Sequence, residues 1–205
     1  MGIVSFIRGL SQGGETSDDG KVDRRASSLL FWAECGDTER CRKLLEEGAP
    51  VDARGFVRES GYDENETPLH KAVSNGHVEC ARLLISHGAD VNARRARDWT
   101  PLLLAAYISN MELCRLLLDN GADPNLGNGV WTPLKLACQR ANAELVELLL
   151  ERGADPNVVC GYIPKSAMGI ALEEGYGWIC DILVRYGALD ETPVMDIIFG
   201  DRAKV

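Results

Sequence analysis

Few side chains in this 205-residue chain are spaced for chemistry. Acid–base or nucleophilic catalysis needs a histidine, carboxylate or thiol set against a group that polarises it. The chain has three histidines, His70, His77 and His87, and its serines lack a nucleophile-elbow context. Carboxylate pairs such as Glu46-Glu47 and Glu173-Glu174 are adjacent in sequence and read as solvated helix faces. Gly127-Asn128-Gly129 and Gly161 offer the glycines of a phosphate cradle without the strand-to-helix setting such a loop requires. The seven cysteines include no Cys-x-x-Cys pair, and their spacing fits neither a zinc site nor a disulfide framework. The expectation is therefore a chain with no catalytic residue, no metal and no cofactor. Its unpaired cysteines imply a reducing compartment, the cytoplasm first and the nucleus as the alternative. There, the Asn65-Glu66-Thr67 sequon is a chance match.

Bulk composition narrows the partners. Hydrophobic residues at 45% and charged residues at 26% are ordinary for a globular protein. A formal charge of −9 argues against nucleic acid and anionic lipid. No apolar run approaches the roughly 18 residues of a membrane span. Met1-Gly2-Ile3-Val4-Ser5-Phe6 resembles a myristoylation start, but Phe6 stands where that pattern wants Ser or Thr. Ile3 to Leu10 is too short, and lacks a basic lead and cleavage site, for a secretory signal.

What must position any functional residue is a repeating unit. Thr67-Pro68-Leu69 recurs as Thr100-Pro101-Leu102 and Thr132-Pro133-Leu134, and Gly88-Ala89-Asp90 as Gly121-Ala122-Asp123 and Gly153-Ala154-Asp155. Weaker copies lie at Gly48-Ala49-Pro50 and Gly187-Ala188-Leu189. A period near 33 residues indicates a solenoid of stacked small units. Within each unit, Thr caps a helix whose first position is Pro. In the second unit that helix runs to Asn75, and a second one spans roughly Val78 to His87. Aligned in this way, Cys41, Cys114 and Cys180 fall at one site of the second helix, with Cys80 one residue earlier. Cys138 stands where Val73 and Ala106 stand, so these cysteines read as small core side chains. Residues 11–25 are polar and glycine-rich, a flexible linker.

Thr67-Pro68-Leu69-His70-Lys71-Ala72, Gly76-His77, Leu83-Leu84 and Gly88-Ala89-Asp90-Val91-Asn92 resemble the ankyrin repeat family over about residues 27–190. The resemblance implies an all-α solenoid of paired antiparallel helices with protruding finger loops, capped at both ends. The implied units are 27–59, 67–99, 100–131, 132–165 and 166–190, inside a domain over 26–199. A polar tail over 1–25 precedes it, a capping helix over 192–199 closes it, and 200–205 is a short tail. In the family, the residue at His70 ties helix to finger; later units replace it by Leu103, Lys135 and Gly169. Trp32 stands where later units have Ala72, Ala105, Ala137 and Ala171, as an end cap would. The first finger, around Gly55 to Glu66, carries about seven extra residues, either a second contact surface or a tolerated loop extension.

The family binds partners through its finger tips and the exposed side of its first helices, a concave surface. There the chain places Trp99 and Trp131, Tyr107-Ile108, Gln139-Arg140 and Tyr162-Ile163. Trp, Tyr and Arg are enriched at interface hot spots. The alternative is that the two tryptophans pack between fingers. Arg94, Arg95 and Arg97 form a basic rim for an acidic segment, or simply a solubilising surface. The resemblance also implies Asn92 as an acceptor for asparaginyl hydroxylases.

The expected function is a non-catalytic adaptor or stoichiometric inhibitor, monomeric by itself, whose partner is a protein with an acidic or apolar exposed segment. A scaffold or substrate-receptor subunit of a larger assembly, such as a ubiquitin ligase complex, is the alternative. Fewer than twenty residues follow the last repeat, which speaks against an appended ligase-recruiting box. A regulatory piece of an enzyme catalysing elsewhere is a third reading.

Overall fold

The computed structural model describes residues 24–54, 65–160 and 165–189. Among the described residues, ten α-helices form five antiparallel pairs. The pairs are α1 (Arg24–Cys35) with α2 (Thr38–Glu46), α3 (Pro68–Ser74) with α4 (Val78–Ser86), and α5 (Pro101–Tyr107) with α6 (Met111–Asp119). Then come α7 (Pro133–Gln139) with α8 (Ala143–Glu151), and α9 (Ala167–Glu173) with α10 (Gly177–Arg185). First helices stack in one file and second helices in another. The tail over 1–23, the long-finger residues 55–64 and the capping helix expected over 192–199 lie outside the described residues.

Local chemistry starts the helices where the sequence places them. The hydroxyls of Thr67, Thr100, Thr132 and Ser166 accept the amide of the residue three positions on, satisfying a donor the helix cannot. Asp37, Asn110 and Asn142 do the same for second helices. Leu69, Leu102 and Leu134, from the three Thr-Pro-Leu beats, are at most 1% exposed, each worth about 2 kcal/mol of apolar burial. Ala72, Ala105, Ala137 and Ala171 are fully buried between successive first helices. Trp32, their counterpart in α1, is part-buried on the core with the Arg40 guanidinium 3.9 Å above its ring.

One boundary is corrected. α1 includes Arg24 and Arg25, the last two residues of the linker expected over 11–25. Arginine is a good helix former, and Arg25 Nη1 donates to the Glu47 carbonyl at 2.7 Å, docking these residues on the end of α2.

Between first and second helices the chain turns through a left-handed residue. Gly36, Gly76 and Gly175 take that role in units one, two and five, whereas Ser109 (φ 56°) and Ala141 (φ 54°) take it in units three and four. A side chain there costs on the order of 1 kcal/mol. Ala141→Gly is accordingly expected to raise stability by about 0.5 kcal/mol, read as an increase in the urea midpoint; a decrease would show that the Ala141 methyl makes compensating contacts.

Fingers are locked to one another by a ladder. The Asn92 amide donates to the Gly121 carbonyl at 3.1 Å and accepts from the Asp123 amide at 2.9 Å. Asn125 and Asn157 repeat both bonds one unit further on, while Asp52, lacking an NH₂, only accepts from Asp90.

Candidate functional site

Three of the singled-out side chains meet on one surface. The Trp99 and Tyr107 rings pack edge to face with centroids 5.6 Å apart. The Arg140 guanidinium lies 4.8 Å from the Tyr107 centroid, so the row runs Trp99–Tyr107–Arg140 across units two to four. Local structure sets this up. Tyr107 ends α5, Ile108 caps it, and Arg140 caps α7, so all three sit at the exposed ends of first helices. Tyr107 is 48% and Ile108 37% exposed, whereas Trp99 is part-buried against the core. The non-glycine turn residues Ser109 and Ala141 directly follow Ile108 and Arg140. Among the described residues Arg140 has no carboxylate partner, unlike Arg82, Arg115, Arg152 and Arg185, which are paired.

Trp131 makes no ring contact with that row among the described residues. It is part-buried against the core, makes no aromatic pair among the described residues, and has the Lys135 ammonium 5.9 Å from its ring. Its finger turns tightly. The Asn128 carboxamide oxygen accepts the Val130 and Trp131 amides, and a Cβ on Gly127 would come within 2.3 Å of the Trp131 carbonyl. Tyr162 and Ile163 lie outside the described residues.

The basic rim is partly neutralised, by the preceding finger and by its own. Arg95 pairs with Glu66, and Arg94 lies 3.4 Å from Asp98. Arg97 is exposed at the left-handed turn, with φ 60°. Asn92 has both polar atoms of its side chain engaged in the finger ladder, so hydroxylase access to it requires those bonds to open.

Beneath the surface, three buried groups hold the fingers in place. His70 is fully buried, with Nε2–H donating to the Trp99 carbonyl at 3.1 Å and Nδ1 accepting from the Thr67 amide and hydroxyl. Burial holds its pKa at about 4, although the Trp99 carbonyl works the other way. Glu66, 3% exposed, bridges Lys71 at 2.8 Å and Arg95. Burial alone would raise the Glu66 pKa, but Lys71 and Arg95 together outweigh it and hold the carboxyl below the usual range. Lys135, at the position equivalent to His70, ties the Val130 carbonyl at 3.0 Å to the Cys160 carbonyl at 2.7 Å. The substitution at Lys135 is visible in the sequence, whereas its role depends on contacts 5 and 25 residues away. A lysine at a helix position whose counterparts are buried is the signal.

Comparison with known proteins follows the same pattern. The profile of the family described as ankyrin repeats (3 copies) matches residues 5–95 and 93–160. The chain is 42% identical over 79 residues to the 2-5A-dependent ribonuclease of Mus musculus, covering 38% of this chain and 10% of that protein. It is 40% identical over 75 residues to ankyrin repeat domain-containing protein 49 of Bos taurus, covering 36% of this chain and 29% of that protein. With protein phosphatase 1 regulatory subunit 27 of Mus musculus it shares 36% over 62 residues, 30% of this chain and 40% of that protein. The chain thus spans less than half the length of each of these curated relatives. No helix among the described residues is long and apolar enough to cross a membrane.

Proposed function

Since the chain belongs to the ankyrin repeat family, whose repeats are in general non-catalytic protein–protein interaction modules, we propose that it is an adaptor or stoichiometric inhibitor gripping a partner protein at the Trp99–Tyr107–Ile108–Arg140 surface. One observation carries this reading. At the ends of first helices the other units present Ser74-Asn75, Gln139-Arg140 and Glu173-Glu174, and unit three alone among these presents an exposed aromatic–aliphatic pair, Tyr107-Ile108. Exposed apolar surface at the centre of such a row is what a partner buries. Arg140, stacked on Tyr107 and without a carboxylate partner among the described residues, suits an acidic group beside that apolar contact. The relative that is a phosphatase regulatory subunit supports a regulatory rather than a catalytic role.

Affinity purification from the native cell, comparing the wild type with Tyr107→Ala/Ile108→Asp, tests the proposal. Both side chains are solvent-exposed, so the variant is expected to fold and to lose its main partner. An unchanged set of captured proteins would place the contact elsewhere. Trp99→Ala/Trp131→Ala is a poorer probe, because both rings also pack on the core.

A further inference from the structure

Lys135 is only 3% exposed, and among the described residues its ammonium is held entirely by uncharged groups. Two are carbonyls, and the third is Cys160 Sγ at 3.3 Å. A buried cation without a countercharge is costly, and among these three partners only the sulfur can become an anion. The same sulfur lies 3.3 Å from the Val130 carbonyl, so the thiol proton has an acceptor while the ammonium faces a sulfur lone pair. Cys160 is part-buried rather than sealed in.

We infer that Cys160 is a modification site for peroxides, with Lys135 as the positioning residue that supplies the countercharge of the attacking sulfur. The thiol loses its proton and the sulfur attacks one oxygen of hydrogen peroxide. An S–O bond forms, the O–O bond breaks, and hydroxide departs to take up the proton as water. Sulfur is oxidised by two electrons and peroxide is reduced by the same two, leaving a sulfenic acid beside Lys135.

Burial or nearby carboxylates set most of the other described cysteines against this chemistry. Cys41, Cys80, Cys114 and Cys138 are buried. Burial pushes the Cys114 and Cys138 thiols up to about 12. Cys35 is the most useful comparison, because it is exposed yet its thiol is pushed up by partial burial and by the carboxylates of Glu34 and Asp37. Exposure alone ranks Cys35 first, and the lysine contact ranks Cys160 first.

The full chain, treated with hydrogen peroxide below stoichiometry and trapped with dimedone, is read at all seven cysteines by peptide mass spectrometry. Cys160 is expected to label at least about fivefold faster than Cys35. Lys135→Met, checked for folding by circular dichroism, is expected to slow Cys160 by at least about fivefold with Cys35 unchanged, while Lys135→Arg keeps most of the rate. Equal or faster labelling of Cys35 in the wild type overturns the inference, as does an undiminished Cys160 rate in folded Lys135→Met. The wild-type comparison decides by itself if the methionine variant does not fold.

Discussion

Glu66→Gln is expected to lower the free energy of unfolding by about 3 kcal/mol. The substitution keeps size and shape, so no cavity term enters. What changes is charge. The Lys71 and Arg95 side chains are 17% and 23% exposed and converge on one carboxylate that is itself 4% exposed. Removing that charge leaves two largely desolvated cations facing a neutral amide. Lys71 keeps Glu34 at 3.5 Å, but Arg95 Nε is buried and has no hydrogen-bond partner among the described residues, so the guanidinium depends on Glu66. Urea unfolding of the single variants and of Glu66→Gln/Arg95→Met measures the coupling. The double variant should recover at least about 1 kcal/mol of the single loss, since the stranded charge is gone. A single-variant loss below about 1 kcal/mol would mean that solvent screens the triad as it does a surface pair.

The second large effect is acid lability in two windows. His70 is neutral in the folded chain with a pKa of about 4, against an ordinary value near 6.5 in the unfolded chain. Below pH 6.5 the unfolded state therefore binds a proton that the folded state refuses. Stability is full above about pH 6.5 and falls as pH drops toward 4, by on the order of 3 kcal/mol. Glu66 acts lower down. Its folded carboxyl is held below the ordinary value near 4.3, so its contribution is present above that value and is lost as pH falls further. Denaturant midpoints at pH 7, 6, 5 and 4.5 read the upper window directly. His70→Gln, at some cost in stability at pH 7, should flatten the profile between pH 6.5 and 4.5. A flat wild-type profile in that range would contradict a neutral, buried His70.

Much of this architecture is legible in the residues. Thr67, Thr100 and Thr132 with their prolines start helices where short-range capping chemistry dictates, and Cys138 is buried as its alignment with Val73 and Ala106 predicts. Those features depend on neighbours a few positions away or on the repeat itself. The finger contacts were harder to read because they join groups about 30 residues apart. Glu66 meets Arg95 across one unit, turning part of the expected basic rim inward. Lys135 reaches Cys160 across another, 25 residues on. Grouping Trp131 with Trp99 followed from their equivalent positions. In the folded chain the Trp99 ring turns to Tyr107, while Trp131 lies near Lys135, because unit four has no aromatic residue at the place of Tyr107. Ser109 and Ala141 were visible in principle as non-glycine residues at a glycine position. Only the backbone shows that they keep its left-handed conformation.

The measurement closest to the central proposal is a binding titration of the captured partner against three purified proteins. These are the wild type, Tyr107→Ala/Ile108→Asp, and Trp178→Ala, which removes a 53% exposed aromatic from the second-helix file. A partner docked on the first-helix row should bind the Tyr107/Ile108 variant at least about 30-fold more weakly, the loss of one hot spot of about 2 kcal/mol, and Trp178→Ala within about twofold of wild type. Equal affinity for wild type and the Tyr107/Ile108 variant, or the larger loss at Trp178, would contradict that docking surface.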